Sequence, residues 1–133
     1  MRRSNQGFTL IEIMIVVAIL GILLTIFTPI LTEYVKRSHR TEIAGLLSDQ
    51  AQNLERFYSK NNVYTNATGV STGNDYYTLT ATITDQTFLL TAVRKAGTTM
   101  AGDKCGDFTL TNTGVRGMNN ATTGLTTKDC WGR

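Results

Sequence analysis

The chain has 133 residues, a formal charge of +3, one histidine, one tryptophan and two cysteines. That length holds one domain, and Cys105 and Cys130 with a distant His39 fall short of the four ligands of a structural zinc site. Without Arg2 and Arg3, eleven Lys and Arg face ten Asp and Glu, a balance that gives no reason to expect a nucleic-acid partner.

Residues 1–6, MRRSNQ, are polar and basic, and GFTLIEIMIVVAILGILL (7–24) follows with one charged side chain, Glu12. From Ile13 to Leu31 nineteen residues carry no charge. At about 1.5 Å of rise each they span roughly 28 Å, close to the thickness of a bilayer's hydrocarbon core. No A-x-A-like cleavage site ends the run, so it does not read as a secretory signal, and composition alone points to an uncleaved anchor. Arg2 and Arg3 on one side and Lys36, Arg37 and Arg40 on the other leave the positive-inside rule almost tied.

The combination of a basic leader, Gly7 then Phe8, and one glutamate in an otherwise apolar helix resembles the class III signal of type IV prepilins. The likeness covers about the first forty residues. It implies that a membrane aspartyl peptidase, the prepilin peptidase, cuts the Gly7–Phe8 bond and methylates the new N-terminus at Phe8. It also places the C-terminal part outside the inner membrane, as does the pair of cysteines.

Glu12 is costly in such a place. A charge at the centre of a membrane helix costs about 2.5–3.5 kcal/mol, less toward an end. Glu12 lies roughly 6 Å from the helix start and gains about 0.3–1 kcal/mol from the helix dipole. It can serve as a helix-start carboxylate beside its own chain's amine. It can also pair with the Phe8 amine of a neighbouring subunit once helices pack and water is excluded. The resemblance implies the second.

Gly21 and Pro29 disfavour a straight helix. Pro29 removes the partner of the Thr25 carbonyl at a cost of about 3 kcal/mol, and the hydroxyls of Thr25 and Thr28 are placed to satisfy nearby backbone groups. A kink is expected, and the resemblance implies that Gly21–Pro29 unwinds in the assembled filament. Beyond it, Ile43, Leu46, Leu47, Ala51, Leu54, Phe57 and Tyr58 recur at three- and four-residue steps. Glu33, Lys36, Arg37, Arg40, Glu42, Asp49, Glu55 and Arg56 fill the other faces. The helix is expected from Phe8 to about Lys60, on the order of 80 Å, with Asn61-Asn62 as its break. Lys36-Arg37-Ser38-His39-Arg40 reads as a solvated or headgroup-facing band, with His39 neither ligand nor base.

Residues 61–75 are a polar, turn-rich loop. Asn66-Ala67-Thr68 and Asn120-Ala121-Thr122 fit the N-glycosylation pattern, and no glycan is expected on either. Three strands follow: 76–84 with Tyr77, Leu79, Ala81 and Ile83 inward, 87–94 with either Phe88, Leu90 and Ala92, the favoured set, or Leu89, Thr91 and Val93 inward, and 107–113 offering Phe108 and Leu110. Gly114 and Gly117 open an irregular tail. A Cys105–Cys130 bridge would close a loop of 24 intervening residues, worth about 3.5 kcal/mol by loop entropy. The stretch from CGDFTLTNTG to DCW is similar to minor pilins of the PilE type and to competence-associated relatives, and looks like their disulfide-bounded C-terminal region.

The expected fold is therefore α+β: a long N-terminal helix whose amphipathic half packs on a three- or four-stranded antiparallel meander, closed by the Cys105–Cys130 loop. Residues 1–7 are a cleaved leader, 8–31 a transmembrane or filament-core helix, and 32–133 a periplasmic head. The expected role is a structural minor subunit of a type IV pilus, serving adhesion, twitching motility or biofilm formation. Other pilin subunits, the prepilin peptidase, an inner-membrane assembly platform and, before assembly, the membrane itself are its expected partners. No cofactor, metal or catalysis is expected, since no nucleophile joins a base and an orienter. A DNA-uptake pilin and a type II secretion pseudopilin are the alternatives.

Overall fold

A computed structural model describes residues 6–132. The chain divides into two units, one ending at Val35 and one starting at Lys36. Helix α1, Leu10–Asn61, contributes to both. It begins two residues later than expected, because Thr9 caps it, and it ends at a pair of asparagines. The Asn61 side-chain amide donates to the Phe57 carbonyl at 2.9 Å. Asn62 takes a left-handed φ of 58° while its N–H donates to Tyr58 at 2.7 Å, which closes the last turn.

In the first unit every large apolar side chain from Phe8 to Val35 is exposed. The α1 residues of the second unit behave differently: Ile43, Leu47 and Leu54 are sealed in a core with Tyr77, Leu79, Phe88, Leu90 and Phe108. Strands β1 (Tyr77–Ile83), β2 (Phe88–Arg94), β3 (Asp107–Thr111) and β4 (Arg116–Asn119) form an antiparallel meander in that spatial order. Leu79 faces Ala92 across β1–β2, and Ala92 faces Phe108 across β2–β3, so one pleat face is apolar throughout. The inward sets expected for β1, β2 and β3 are the ones that turn away from water.

Three features depart from the sequence reading. The tail after Gly114 contributes β4 and a short helix, α2 (Thr127–Trp131). Tyr64, in the polar loop, is buried, stacked on Tyr58 at 4.5 Å and edge-on to Phe88 at 5.1 Å. Arg40 does not belong to a solvated basic band: it is 3% exposed and ion-paired to Asp103. A guanidinium reaches the interior when a planar carboxylate meets it there, and the sequence does not announce a partner 63 residues away.

Each sheet edge meets a neighbouring segment at one point. Residues 72–74 lie along β1, with Leu79 N–H donating to Thr72 at 2.8 Å and Asn74 N–H to Tyr77 at 2.9 Å. Gly73 is required there: its φ is 118° and a Cβ would fall 2.1 Å from the Tyr77 carbonyl oxygen. At the other edge the Trp131 indole N–H donates to the Gly117 carbonyl of β4 at 3.2 Å.

Candidate functional site

The start of α1 is built from T-L-I-E, residues 9–12. The Glu12 N–H donates to the Thr9 hydroxyl at 3.3 Å and the Ile13 N–H to the Thr9 carbonyl at 3.3 Å. Thr9 is thus the N-cap and Glu12 the third helical residue, where a carboxylate meets the positive end of the helix. Gly7 and Phe8 lie outside the helix and are exposed, Phe8 at 79%. The Gly7–Phe8 peptide is therefore exposed and non-helical.

Gly21 and Pro29 lie within an unbroken α1. The Thr25 hydroxyl donates to the Ile22 carbonyl at 2.7 Å, Thr28 to Leu24 at 2.6 Å and Thr32 to Thr28 at 2.9 Å. Three hydroxyls thus turn inward onto their own helix around the proline, keeping polar atoms off an apolar surface.

The second cluster surrounds the disulfide. Cys105 and Cys130 are bonded, with Cα atoms 5.6 Å apart. The bond joins the start of β3 to α2. Next to Cys105 lie two buried carboxylates. Asp103 Oδ2 accepts from Arg40 Nε at 2.9 Å. Asp107 Oδ1 accepts from the Arg94 backbone N–H at 3.0 Å and from Arg94 Nε at 3.1 Å. The Tyr77 ring packs beside them, edge-on to Phe108, and burial, with Asp103 next, pushes its phenol well above the usual range. Gly106, at φ 69°, lets the chain pass: a Cβ there would fall 2.1 Å from the Asn119 carbonyl oxygen.

Helix α2 is closed by a capping box. Thr126 and Asp129 exchange backbone and side-chain bonds, and those bonds from Thr126 hold the Asp129 carboxyl below the usual carboxylate range. Trp131 stands edge-on to Phe108 at 5.3 Å with the Arg116 guanidinium 5.5 Å from its ring centre. A cleft of about 360 Å³ separates Arg116 and Trp131 from the α1 residues Thr41, Ala44, Gly45, Ser48 and Asp49.

Of the residues singled out in the sequence, Cys105 and Cys130 come together, and Phe8 and Glu12 share the α1 start. His39 stacks on Tyr76, ring centres 3.7 Å apart, with Nδ1 3.7 Å from Glu42. Among the described residues no three His, Cys, Asp or Glu side chains converge as a metal site would need. Sequence reasoning missed Arg40–Asp103, Arg94–Asp107 and the capped α2. Only α2 carried a local signal, T-x-x-D ahead of Cys130-Trp131.

Comparison with known proteins gives a consistent picture. Residues 2–28 match the family described as the prokaryotic N-terminal methylation motif, and residues 29–109 match the family described as type IV minor pilin ComP, DNA uptake sequence receptor. Fimbrial protein EcpC of Eikenella corrodens is 41% identical over 64 residues, 48% of this chain and 42% of that protein. The type IV wide pilus major component PilA4 of Thermus thermophilus is 40% identical over 63 residues, 47% of this chain and 48% of that protein. The chain thus spans less than half the length of these curated relatives. A type IV pilin from Shewanella oneidensis superposes with a TM-score of 0.54 at 31% identity, over 68% of this chain and 98% of that one. The Neisseria meningitidis non-core minor pilin PilV superposes with a TM-score of 0.57 at 23% identity, over 70% and 98%, a likeness of fold alone.

Proposed function

The chain belongs to the type IV pilin family, and on that premise we propose that it is a minor pilus subunit, cut after Gly7, methylated at Phe8 and assembled into a filament by pairing Glu12 with a neighbour's N-terminus. The observation that carries this is the charge pattern of α1. From Phe8 to Thr32 Glu12 is the sole charge, on a helix whose large apolar side chains from Leu10 to Val35 are all exposed. Such a surface asks for lipid or for other copies of itself. In lipid, near the helix end, the carboxylate keeps access to headgroup water. In a bundle that water is lost, an unpaired charge becomes strongly unfavourable, and the amine freed by cleavage at Phe8 is the cation that arrives with each copy. Cleavage after Gly7 creates that cation and removes Arg2 and Arg3, which an apolar core would not accept.

On this reading residues 1–7 are the leader, 8–31 the membrane and then filament-core segment, and 32–133 the head. The precursor resides in the inner membrane with its head in the periplasm, and prepilin peptidase and an assembly platform act on it there. The mature subunit joins an extracellular pilus. Gly21–Pro29 is its weakest helical segment, expected to kink and to unwind under packing. The test joins two measurements. The mature protein should begin at methylated Phe8 by mass analysis, and an intact Met1 would refute processing. Glu12→Ala should reach the membrane at normal levels and yet be depleted at least tenfold from sheared filaments; normal incorporation would refute the charge pairing.

A DNA-uptake role is the second reading, favoured by the match of residues 29–109 to the family described as a DNA uptake sequence receptor. Lys104, Arg116 and Lys128 are exposed around the disulfide lobe and would supply phosphate contacts. Retention of duplex DNA that weakens steeply with salt, and falls further in Arg116→Ala, would support it; retention no greater than that of a neutral protein would remove it.

A further inference from the structure

We propose that the Cys105–Cys130 bond is a latch, and that its reduction frees a C-terminal flap, residues 120–132, from a head that stays folded. This goes beyond the filament reading and does not depend on it.

The two cysteines are held unequally. Cys105 lies between two buried carboxylates, each fixed by elements that precede it. Asp103 pairs with Arg40 of α1, Nε to Oδ2 at 2.9 Å, and its carbonyl accepts from Arg94 Nη1 at 2.8 Å. Asp107 accepts from the Arg94 backbone and from Arg94 Nε and opens β3, which is paired to β2. None of these bonds uses a flap residue, so the Cys105 loop keeps its frame when the bond is cut.

Cys130 has no equivalent frame. It sits in α2, five residues long, too short to persist as an isolated helix. Its capping box, Thr126 with Asp129, is internal to the flap and moves with it. Asn120 Nδ2 donating to Asp107 at 3.1 Å and Thr122 N–H to the Lys104 carbonyl at 2.8 Å hold the flap near its root. At its far end, besides the disulfide, Trp131 holds it, through Phe108 and the Gly117 carbonyl. Opening would therefore expose Trp131 and the Phe108 ring, strip one wall from the cleft against α1, and free the Gly117 carbonyl of β4.

The reaction is thiol–disulfide exchange with a dithiol. A thiolate of the reagent attacks the sulfur of Cys130, the residue with some exposed surface (5% against 0% for Cys105), and Cys105 leaves as thiolate and is protonated. The reagent's second thiol then displaces Cys130, closing the reagent's own disulfide. Two electrons and two protons pass from the dithiol to the protein.

Dithiothreitol added to the full-length chain in detergent micelles tests this, because Trp131 is the single tryptophan. Once titration shows two free thiols, Trp131 emission should shift to the red and become quenchable by iodide. Amide exchange should rise at least tenfold in α2 and stay unchanged in residues 43–57 of α1 and in β1–β4. Reoxidation should restore both signals. Trp131 remaining buried with both thiols free would overturn the latch, and so would exchange rising through the whole head together. Cys105→Ser/Cys130→Ser should reproduce the reduced spectrum; if that variant does not fold, the reduced wild-type chain decides between the same outcomes.

Discussion

Helix α1 makes two unlike surfaces from one continuous element. Around Leu20 and Leu24 the apolar side chains are exposed on every side, 53% and 66%, whereas Ile43, Leu47 and Leu54 are sealed and their outer neighbours are polar. The second stretch resolves its burial within the chain and the first leaves it to something outside. Stability of the head should therefore answer to substitutions after residue 36, and assembly to substitutions before it.

The largest effect should separate two carboxylates. Asp103→Ala removes the buried carboxylate that Arg40 pairs with, and removing one member of a buried pair costs about 3–5 kcal/mol. Thermal unfolding of the full chain in detergent should register that loss. Arg40→Met combined with Asp103→Leu should recover most of it, since an apolar pair of similar volume need not be desolvated as charge. Glu12→Ala should leave the same transition where it is. A head that melts earlier in Glu12→Ala would break the division of labour.

Core truncation gives the next contrast. Leu47→Ala should cost about 2–5 kcal/mol, the range for a buried leucine, because Leu47 has no exposed surface. Leu20→Ala removes the same atoms from an exposed position and should change head stability by less than about 0.5 kcal/mol. Urea unfolding followed by circular dichroism distinguishes them.

These contrasts also mark what the residues alone could tell. The apolar run is local and legible as composition, and the alternation in 77–83 was readable because burial of one sheet face imposes a period of two; the Gly7–Phe8–Glu12 pattern was read only through its likeness to prepilins. Arg40 was misassigned because its partner is distant in sequence; a basic residue among Lys36, Arg37 and His39 gives no local sign that it turns inward. Strand β4 was read as tail because Arg116-Gly117-Met118-Asn119 has no apolar alternation; at its outer edge Trp131 bonds the Gly117 carbonyl, a contact supplied by the disulfide-bounded lobe.

A smaller effect belongs to α2. Thr126→Ala removes its N-cap, worth about 1 kcal/mol locally, and should raise exposure of Trp131 while the main unfolding transition moves little. The Asp129 half of the cap adds a pH dependence. Its folded pKa is depressed, so its contribution is present above the ordinary aspartate value of about 4 and fades as pH falls through the lower, folded value. Trp131 emission followed below pH 4 should report α2 loosening, and Asp129→Asn should abolish that acid step.

The smallest effect concerns two glycines, one in each stretch of α1. A Cβ added at Gly21 or at Gly45 would meet nothing within 4 Å, so neither is required by a contact inside the chain, and each costs the helix about 0.5–1 kcal/mol relative to alanine. Gly45→Ala should therefore stabilise the head by about that amount, read as a later urea midpoint at unchanged slope. Gly21→Ala should stiffen the segment before Pro29 without moving that midpoint. If Gly21–Pro29 must unwind as subunits pack, the Gly21 variant should assemble less well although its head is intact, so a glycine that is a simple cost in the head would be a working part in the apolar segment. Equal assembly of the two variants would show that Gly21 is as dispensable as Gly45, and the asymmetry between the two stretches would then rest on their apolar surfaces alone.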